Sequence, residues 1–264
     1  MSRIRILFIG DIVGEPGRNM FQKHISSVCE QYKIDAVVVN GENSHDKGRG
    51  ITPKIAEFFK QNNVDMITSG NHIWYSREIY PYLDKSSFLL RPANFPAETP
   101  GTGVGFFECK GIKVAVINVL GRIFIRENVE CPFKSVESLL QYAHSKTNIV
   151  FVDMHAEATS EKTGMGYFCD GKVSGVVGTH THIPTADERI LPKGTAYITD
   201  LGMTGALNSM LGMKSAPIIQ HFKTQMPTRF SVEAEGPMVM YGAWIEVDIE
   251  SGKATDIERI KIID

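Results

Sequence analysis

The sequence predicts an α/β fold whose strands deliver polar side chains to one edge of a parallel sheet. Two observations carry this. Over the first seventy residues, short runs of β-branched and aromatic residues alternate with stretches of helical apolar spacing, the signature of βαβ units. Each run also ends in a small polar cluster: Gly10-Asp11, Gly41-Glu42-Asn43 and Gly70-Asn71-His72, followed later by Asp153-Met154-His155 and Gly178-Thr179-His180-Thr181-His182. Open α/β sheets bind ligands beyond the carboxyl ends of their strands, so five such clusters point to one shared site.

Ile4 to Ile9 reads as the first strand and leaves Asp11 just past its end. Gly14, Pro16 and Gly17 then turn the chain into a helix over Arg18 to Tyr32, where Met20, His24, Ile25 and Val28 recur at helical spacing. Gly10, Gly14 and Gly17 do not make a dinucleotide fingerprint, because the spacing is wrong and Asp11 and Glu15 would repel a pyrophosphate. Ala36 to Val39 is the second strand. After a polar loop containing His45 to Gly50, Thr52 caps a helix with Pro53 at its first position and Ile55, Phe58 and Phe59 as its buried stripe. Val64 to Thr68 is the third strand.

From Leu89 the pattern turns to a β-meander, with Val104 to Cys109 and Lys113 to Val119 joined at Lys110-Gly111. Lys134 to Ser145 is helical, and Asn148 to Val152 is a buried strand feeding Asp153 and His155. Ala156 to Gly171, with three glycines and few aliphatics, reads as a long loop of the lid or substrate-contact kind. Val173 to Val177 feeds the His-Thr-His cluster. The segments Ala196 to Asp200, Phe230 to Ala234, Met238 to Ile249 and Ala254 to Ile263 read as strand, with Ser251-Gly252 turning the last hairpin.

With 264 residues and 42% hydrophobic side chains, the chain is long enough for one large core, and a single domain over residues 1–264 is expected. Its 28 basic and 30 acidic residues leave a net charge of -2, which argues against a dedicated nucleic-acid or membrane-binding surface. The apolar run before Asp11 is too short for a secretory signal, and nothing approaches the ~18 apolar residues of a spanning helix. Cys29, Cys109, Cys131 and Cys169 are scattered and read as reduced thiols. A soluble cytoplasmic protein is expected.

The chemistry centres on His180 and His182. In extended backbone residues i and i+2 share a face, so the two imidazoles converge. With Asp11, Glu42, Asn43, Asn71 and His155 they supply two carboxylates, two amides and three imidazoles. That exceeds the needs of one tetrahedral ion and suits two ions of the manganese, iron or zinc type, with Glu42 as the bridge. Less Asp11, Glu42 and a bridging hydroxide, two divalent ions leave a centre of about +1, which attracts phosphate and supports in-line displacement. His72 follows a ligand position and is expected to protonate the leaving oxygen; the competing role is to hold Asn71.

Other polar residues are weighed and set aside. His24, His144 and His221 lie on predicted helices without polar company and read as surface or interface residues. Asp153 and Asp200 end strands and either orient a ligand imidazole or form turns. Arg122 and Lys162 fall in predicted loops near the strand ends, as substrate contacts or as solvated charges. Met203, Met210 and Met213 read as core filling, with a subunit contact as the alternative.

The ordered blocks resemble those of the calcineurin-like binuclear metallophosphoesterases. They are more closely similar to the bacterial YmdB-like family, matching at Gly10 to Gly14, Gly41 to Ser44, Gly70 to His72, His155 to Thr159 and Gly178 to His182. Val13 stands where the wider superfamily carries a His ligand, and Glu42 where it carries the bridging Asp; Asn43 is expected to supply what Val13 cannot. The resemblance implies a four-layer αββα sandwich, homo-oligomerisation, and phosphodiesterase activity on 2',3'-cyclic nucleotides that opens the 2' bond. Two other readings stay open: a regulatory protein that binds metal and nucleotide with incidental turnover, and a metal-dependent nuclease, which the charge balance disfavours.

Overall fold

Two mixed sheets stack face to face in the computed structural model, which describes residues 2–264. In chain order the strands are β1 (Arg3–Ile9), β2 (Asp11–Ile12), β3 (Ala36–Asn40), β4 (Met66–Thr68), β5 (Val104–Cys109), β6 (Ile112–Leu120), β7 (Val150–His155), β8 (Gly175–Thr179), β9 (Arg189–Ile190), β10 (Ala196–Ile198), β11 (Met203–Ala206), β12 (Met238–Asp248) and β13 (Ala254–Ile263). The helices are α1 (Gly14–Tyr32), α2 (Pro53–Gln61), α3 (Tyr80–Leu83), α4 (Pro132–His144), α5 (Thr159–Cys169) and α6 (Ser215–Thr224). The first sheet runs β2-β11-β12-β1-β3-β4, with β13 on β12, and the second runs β5-β6-β7-β8-β10-β9.

Alternation along β1 shows how the layers form. Ile4, Ile6 and Phe8 point between the sheets, where they meet Val116, Phe151, Val177 and Ile198. Leu7 and Ile9 point outward and pack under Phe21 and Ile25 of α1 and Phe59 of α2. On the far side, Ile117, Val150 and Val152 pack under Val136 and Leu140 of α4 and Met165 and Cys169 of α5. The result is the expected αββα sandwich. Strands buried on both faces read as unbroken apolar runs, which is why they stand out in the sequence.

β1, β3 and β4 are parallel as expected, and so are β6, β7, β8 and β10. The meander is therefore confined to the β5–β6 hairpin. Helix α1 starts at Gly14 rather than Arg18, with Pro16 accommodated in its first turn. Phe230 to Ala234 is not a strand: it makes one isolated bridge, Met213 to Val232, and the next backbone N–H groups, Ala234 and Glu235, donate to the Glu233 carboxylate.

The largest departure is at Ala156 to Gly171, which holds helix α5 rather than a long loop. Gly164 and Gly166 lower its intrinsic propensity, but tertiary packing overrides that cost. A side chain at Gly166 would collide with the Tyr197 ring, while Met165, Cys169 and the stem of Lys162 form the buried face. All four cysteines are free, and among the described residues no helix is long and apolar enough to cross a membrane.

Candidate metal centre

All seven sequence-predicted ligands and His72 converge where the carboxyl ends of parallel strands from both sheets meet. Asp11 follows β1, Glu42 and Asn43 follow β3, Asn71 and His72 follow β4, His155 ends β7, and His180 and His182 follow β8. His155 Nε2 is 3.2 Å from Glu42 Oε1, 3.3 Å from Asn71 Oδ1 and 3.0 Å from His180 Nδ1. A second group lies alongside: His182 Nε2 is 3.8 Å from Asp11 Oδ1 and 2.9 Å from Asn43 Nδ2. Glu42 Oε1 reaches both groups, since Asn43 Nδ2 donates to it over 3.3 Å.

The two histidines of the His-Thr-His cluster converge by a route other than the expected one. β8 ends at Thr179, and His180 and His182 take positive φ values of 103° and 65°, so a turn rather than a pleat aims them inward. Its backbone is anchored by carboxylates: the N–H of His180 donates to Asp11 Oδ2 and that of Thr181 to Asp200 Oδ2. Close approach needs glycine at the centre, because a side chain at Gly70 would strike both the His155 ring and the Glu42 carboxylate.

Supporting hydrogen bonds fix which ring nitrogens face the site. Thr179 donates to Asp153 over 2.7 Å, so its oxygen accepts from His155 Nδ1–H at 2.9 Å and turns Nε2 toward Glu42. His182 Nδ1–H donates to the Leu211 carbonyl over 3.0 Å, leaving Nε2 to accept from Asn43. Orientation of ligand imidazoles through their second nitrogen is characteristic of metal sites. Sequence reasoning missed Thr179 and Asn40, whose side chain bridges Asp153 and Thr179; their one signal was their place beside the Gly-bearing clusters.

Electrostatics inside the cluster are strongly coupled. Burial pushes the Glu42 carboxyl up, but the His155 and His72 imidazoles beside it prevail and hold it well below the usual range. Burial also raises Asp11, only partly countered by His182 and His155. His155 resists charging through burial, yet Glu42 and Asp11 lift it to about 9. Burial and the neighbouring His155 together depress His180 to about 3, which leaves it a neutral donor.

The donor set fits divalent transition-metal ions: buried carboxylate oxygens, amide oxygens and neutral imidazole nitrogens, with no thiolate. Glu42, His155 and His180 bring one donor atom each within 4.8 Å of one another. Asp11 Oδ1, fully buried, has no hydrogen-bond partner among the described residues, although burying an oxygen unpaired is costly. A cation there would satisfy it.

Some residues do not take the parts expected. Lys162 is no substrate contact: it is buried in α5 and paired with Asp200 at 2.6 Å. Asp200 orients no imidazole; it accepts from Lys162 and from the N–H groups of Thr181 and Gly202. Asp153 orients His155 through Thr179 rather than directly. His72 holds Asn43 rather than Asn71, with Nδ1 2.8 Å from Asn43 Oδ1 and 3.1 Å from Glu42 Oε1. Glu157, not singled out in sequence, places a carboxylate oxygen 3.3 Å from His180 Nε2.

The family model for YmdB-like proteins matches residues 7–260. The chain belongs to the YmdB-like family. Over 261 residues it is 48% identical to the 2',3'-cyclic-nucleotide 2'-phosphodiesterase of Bacillus subtilis (strain 168), covering 99% of this chain and 98% of the relative. Among solved structures, a hypothetical protein from Thermus thermophilus superposes with a TM-score of 0.91 at 36% identity, covering 99% of this chain and all of that one. A novel phosphatase from Mycoplasma pneumoniae gives 0.92 at 34% identity, over 100% of this chain and 94% of the other. YmdB-like membership thus agrees with the αββα architecture and with the order of the clusters along the chain.

Proposed function

We propose that this protein is a metal-dependent phosphodiesterase that hydrolyses 2',3'-cyclic nucleotides and opens the bond to the 2' oxygen, the activity for which its Bacillus subtilis relative is named. Asp11, Glu42, Asn43, Asn71, His155, His180 and His182 would hold two transition-metal ions, iron or manganese in preference to zinc, with Glu42 between them. When bound, such ions supply Lewis acidity toward the phosphate and acidify water near neutral pH. The observation that carries the proposal is the meeting of these side chains around an unpartnered, fully buried Asp11 oxygen.

The chain's own groups account for the remainder. His72 lines the mouth of the cavity with Nδ1 committed to Asn43 and Glu42, which leaves Nε2 directed away from both. From that position His72 can give a proton from Nε2 to the departing 2' oxygen. Asn43 links this acid to His182, accepting from one imidazole and donating to the other.

The test is hydrolysis of 2',3'-cyclic AMP by protein reconstituted with manganese or iron, with products separated by chromatography. The expected product is the 3'-phosphate, and activity is lost on chelation and restored by the metal. Activity that survives complete metal removal, or a 2'-phosphate product, would overturn the proposal.

A further inference from the structure

We infer that the protein also opens 2',3'-cyclic phosphates at the 3' ends of short oligoribonucleotides, with Lys47 and Arg229 holding the phosphates on the 5' side of the reacting nucleotide. This rests on the phosphodiesterase activity proposed above.

The sizes of two adjoining cavities decide how far the substrate extends. The one that opens on Glu42, Asn43, His72, His180 and His182 has a volume of about 210 Å³. Pockets that enclose a small ligand run to about 300–1,000 Å³, so this one holds the reacting phosphate and part of a nucleoside. Arg49, Met213 and Phe230 form a shared wall with a second cavity of about 500 Å³. A nucleotide seated by its cyclic phosphate has room to continue there.

The second cavity has the chemistry of a single-stranded polynucleotide. Lys47, Arg49 and Arg229 line it, all exposed, and among the described residues none has a carboxylate within ion-pair distance. The one acidic residue in the lining, Asp46, is paired with Arg18 at 2.8 Å. Tyr75, 53% exposed, and Phe230 stand among these cations. Unpaired cations along a groove, interleaved with aromatic rings on which bases stack, form the sequence-tolerant mode of single-strand binding. In a chain of net charge -2 this is a local concentration of positive charge rather than a basic face.

The chemistry at the end of an oligonucleotide is that of the mononucleotide. Water forms a new bond to phosphorus and the bond to the 2' oxygen breaks. One proton of the water ends on that oxygen, and the other stays on the new phosphate monoester or is lost to solvent. Only the 5' substituent differs, and it lies outside the reacting centre.

The experiment compares 2',3'-cyclic AMP with pentaadenylate ending in a 2',3'-cyclic phosphate, using metal-loaded wild-type protein and the double variant K47A/R229A. Arg49, which also lines the reacting cavity, is left in place. The wild-type protein is expected to prefer the pentamer in kcat/KM. That preference should fall about sevenfold between 50 and 200 mM salt, the dependence of two phosphate contacts on a single strand. The double variant should lose the preference while hydrolysing the mononucleotide at the wild-type rate, and anisotropy of fluorescein-labelled pentaadenylate 3'-phosphate should show the same loss in binding. Equal kcat/KM for the two substrates, or a preference that survives in K47A/R229A, overturns this inference alone. Failure to hydrolyse either substrate overturns the proposed function together with it.

Discussion

The two sheets make unlike contributions to the centre. From the first come both carboxylates and both amides, Asp11, Glu42, Asn43 and Asn71; from the second come all three candidate ligand imidazoles, His155, His180 and His182. The first sheet alone would bury two negative charges without compensation, and the second would place neutral nitrogen donors around nothing that attracts a cation. The charge that would draw an ion and the softer donors that would favour a transition metal meet only when the sheets pack. Site and sandwich are therefore one construction, and the core between the sheets holds the donors in register.

The most damaging way to break this division is to remove the carboxylate that reaches both groups. Glu42→Ala is expected to lose both ions by elemental analysis, and hydrolysis with them; retention of full occupancy would reassign the bridge. Gly70→Ala, which forces a methyl group between Glu42 and His155, should lose metal without altering any donor.

His72 sharpens the comparison, being an imidazole on the first sheet's side. His72→Ala should keep its metal while kcat falls by ~10²–10⁴, the usual range for a positioned general acid. If metal is lost in proportion, His72 is holding the centre rather than serving the reaction. Thr179→Val removes the group that fixes the His155 tautomer, and metal affinity should weaken by about 10–100-fold with the fold intact.

The pH dependence probes the coupling between the sheets. Glu42 and Asp11 raise His155 to about 9, so it is protonated below that value and a metal ion must displace the proton. Metal affinity, measured by competition with a chelator, should therefore rise with pH and level off near 9. In Glu42→Gln that limb should shift to lower pH. The buried Lys162–Asp200 pair, by contrast, supports the turn after β8 and the turn into β11. Lys162→Ala leaves Asp200 buried without its cation and should destabilise the protein by about 3–5 kcal/mol in denaturant titrations.

Much of the site was legible because each donor sits at a break in a buried, unmistakable strand. Asp11, Glu42, Asn71 and His155 could be placed from the apolar runs before them, since strand ends in parallel sheets gather at one edge. What was not legible depended on contacts distant in sequence. Helix α5 was hidden because Gly164 and Gly166 look like loop residues until the Tyr197 ring is set against Gly166. The left-handed turn at His180 and His182 leaves no mark in composition, because it is imposed by Asp11 and Asp200. The pairing of Lys162 with Asp200 joins residues 38 positions apart that no periodicity connects.

The place of β12 bears on how the protein is made. This strand lies between β1 and β11, and β11 in turn holds β2, which carries Asp11. Every candidate ligand leaves the ribosome before β12 does, yet β11, which pairs with the strand that carries Asp11, is joined to β1 and β3 only through residues 238–248. Nascent chains halted upstream of that segment would carry all seven candidate donors with the β2–β11 pair not yet joined to the sheet, so the candidate centre would be complete only after residues 238–248 are made.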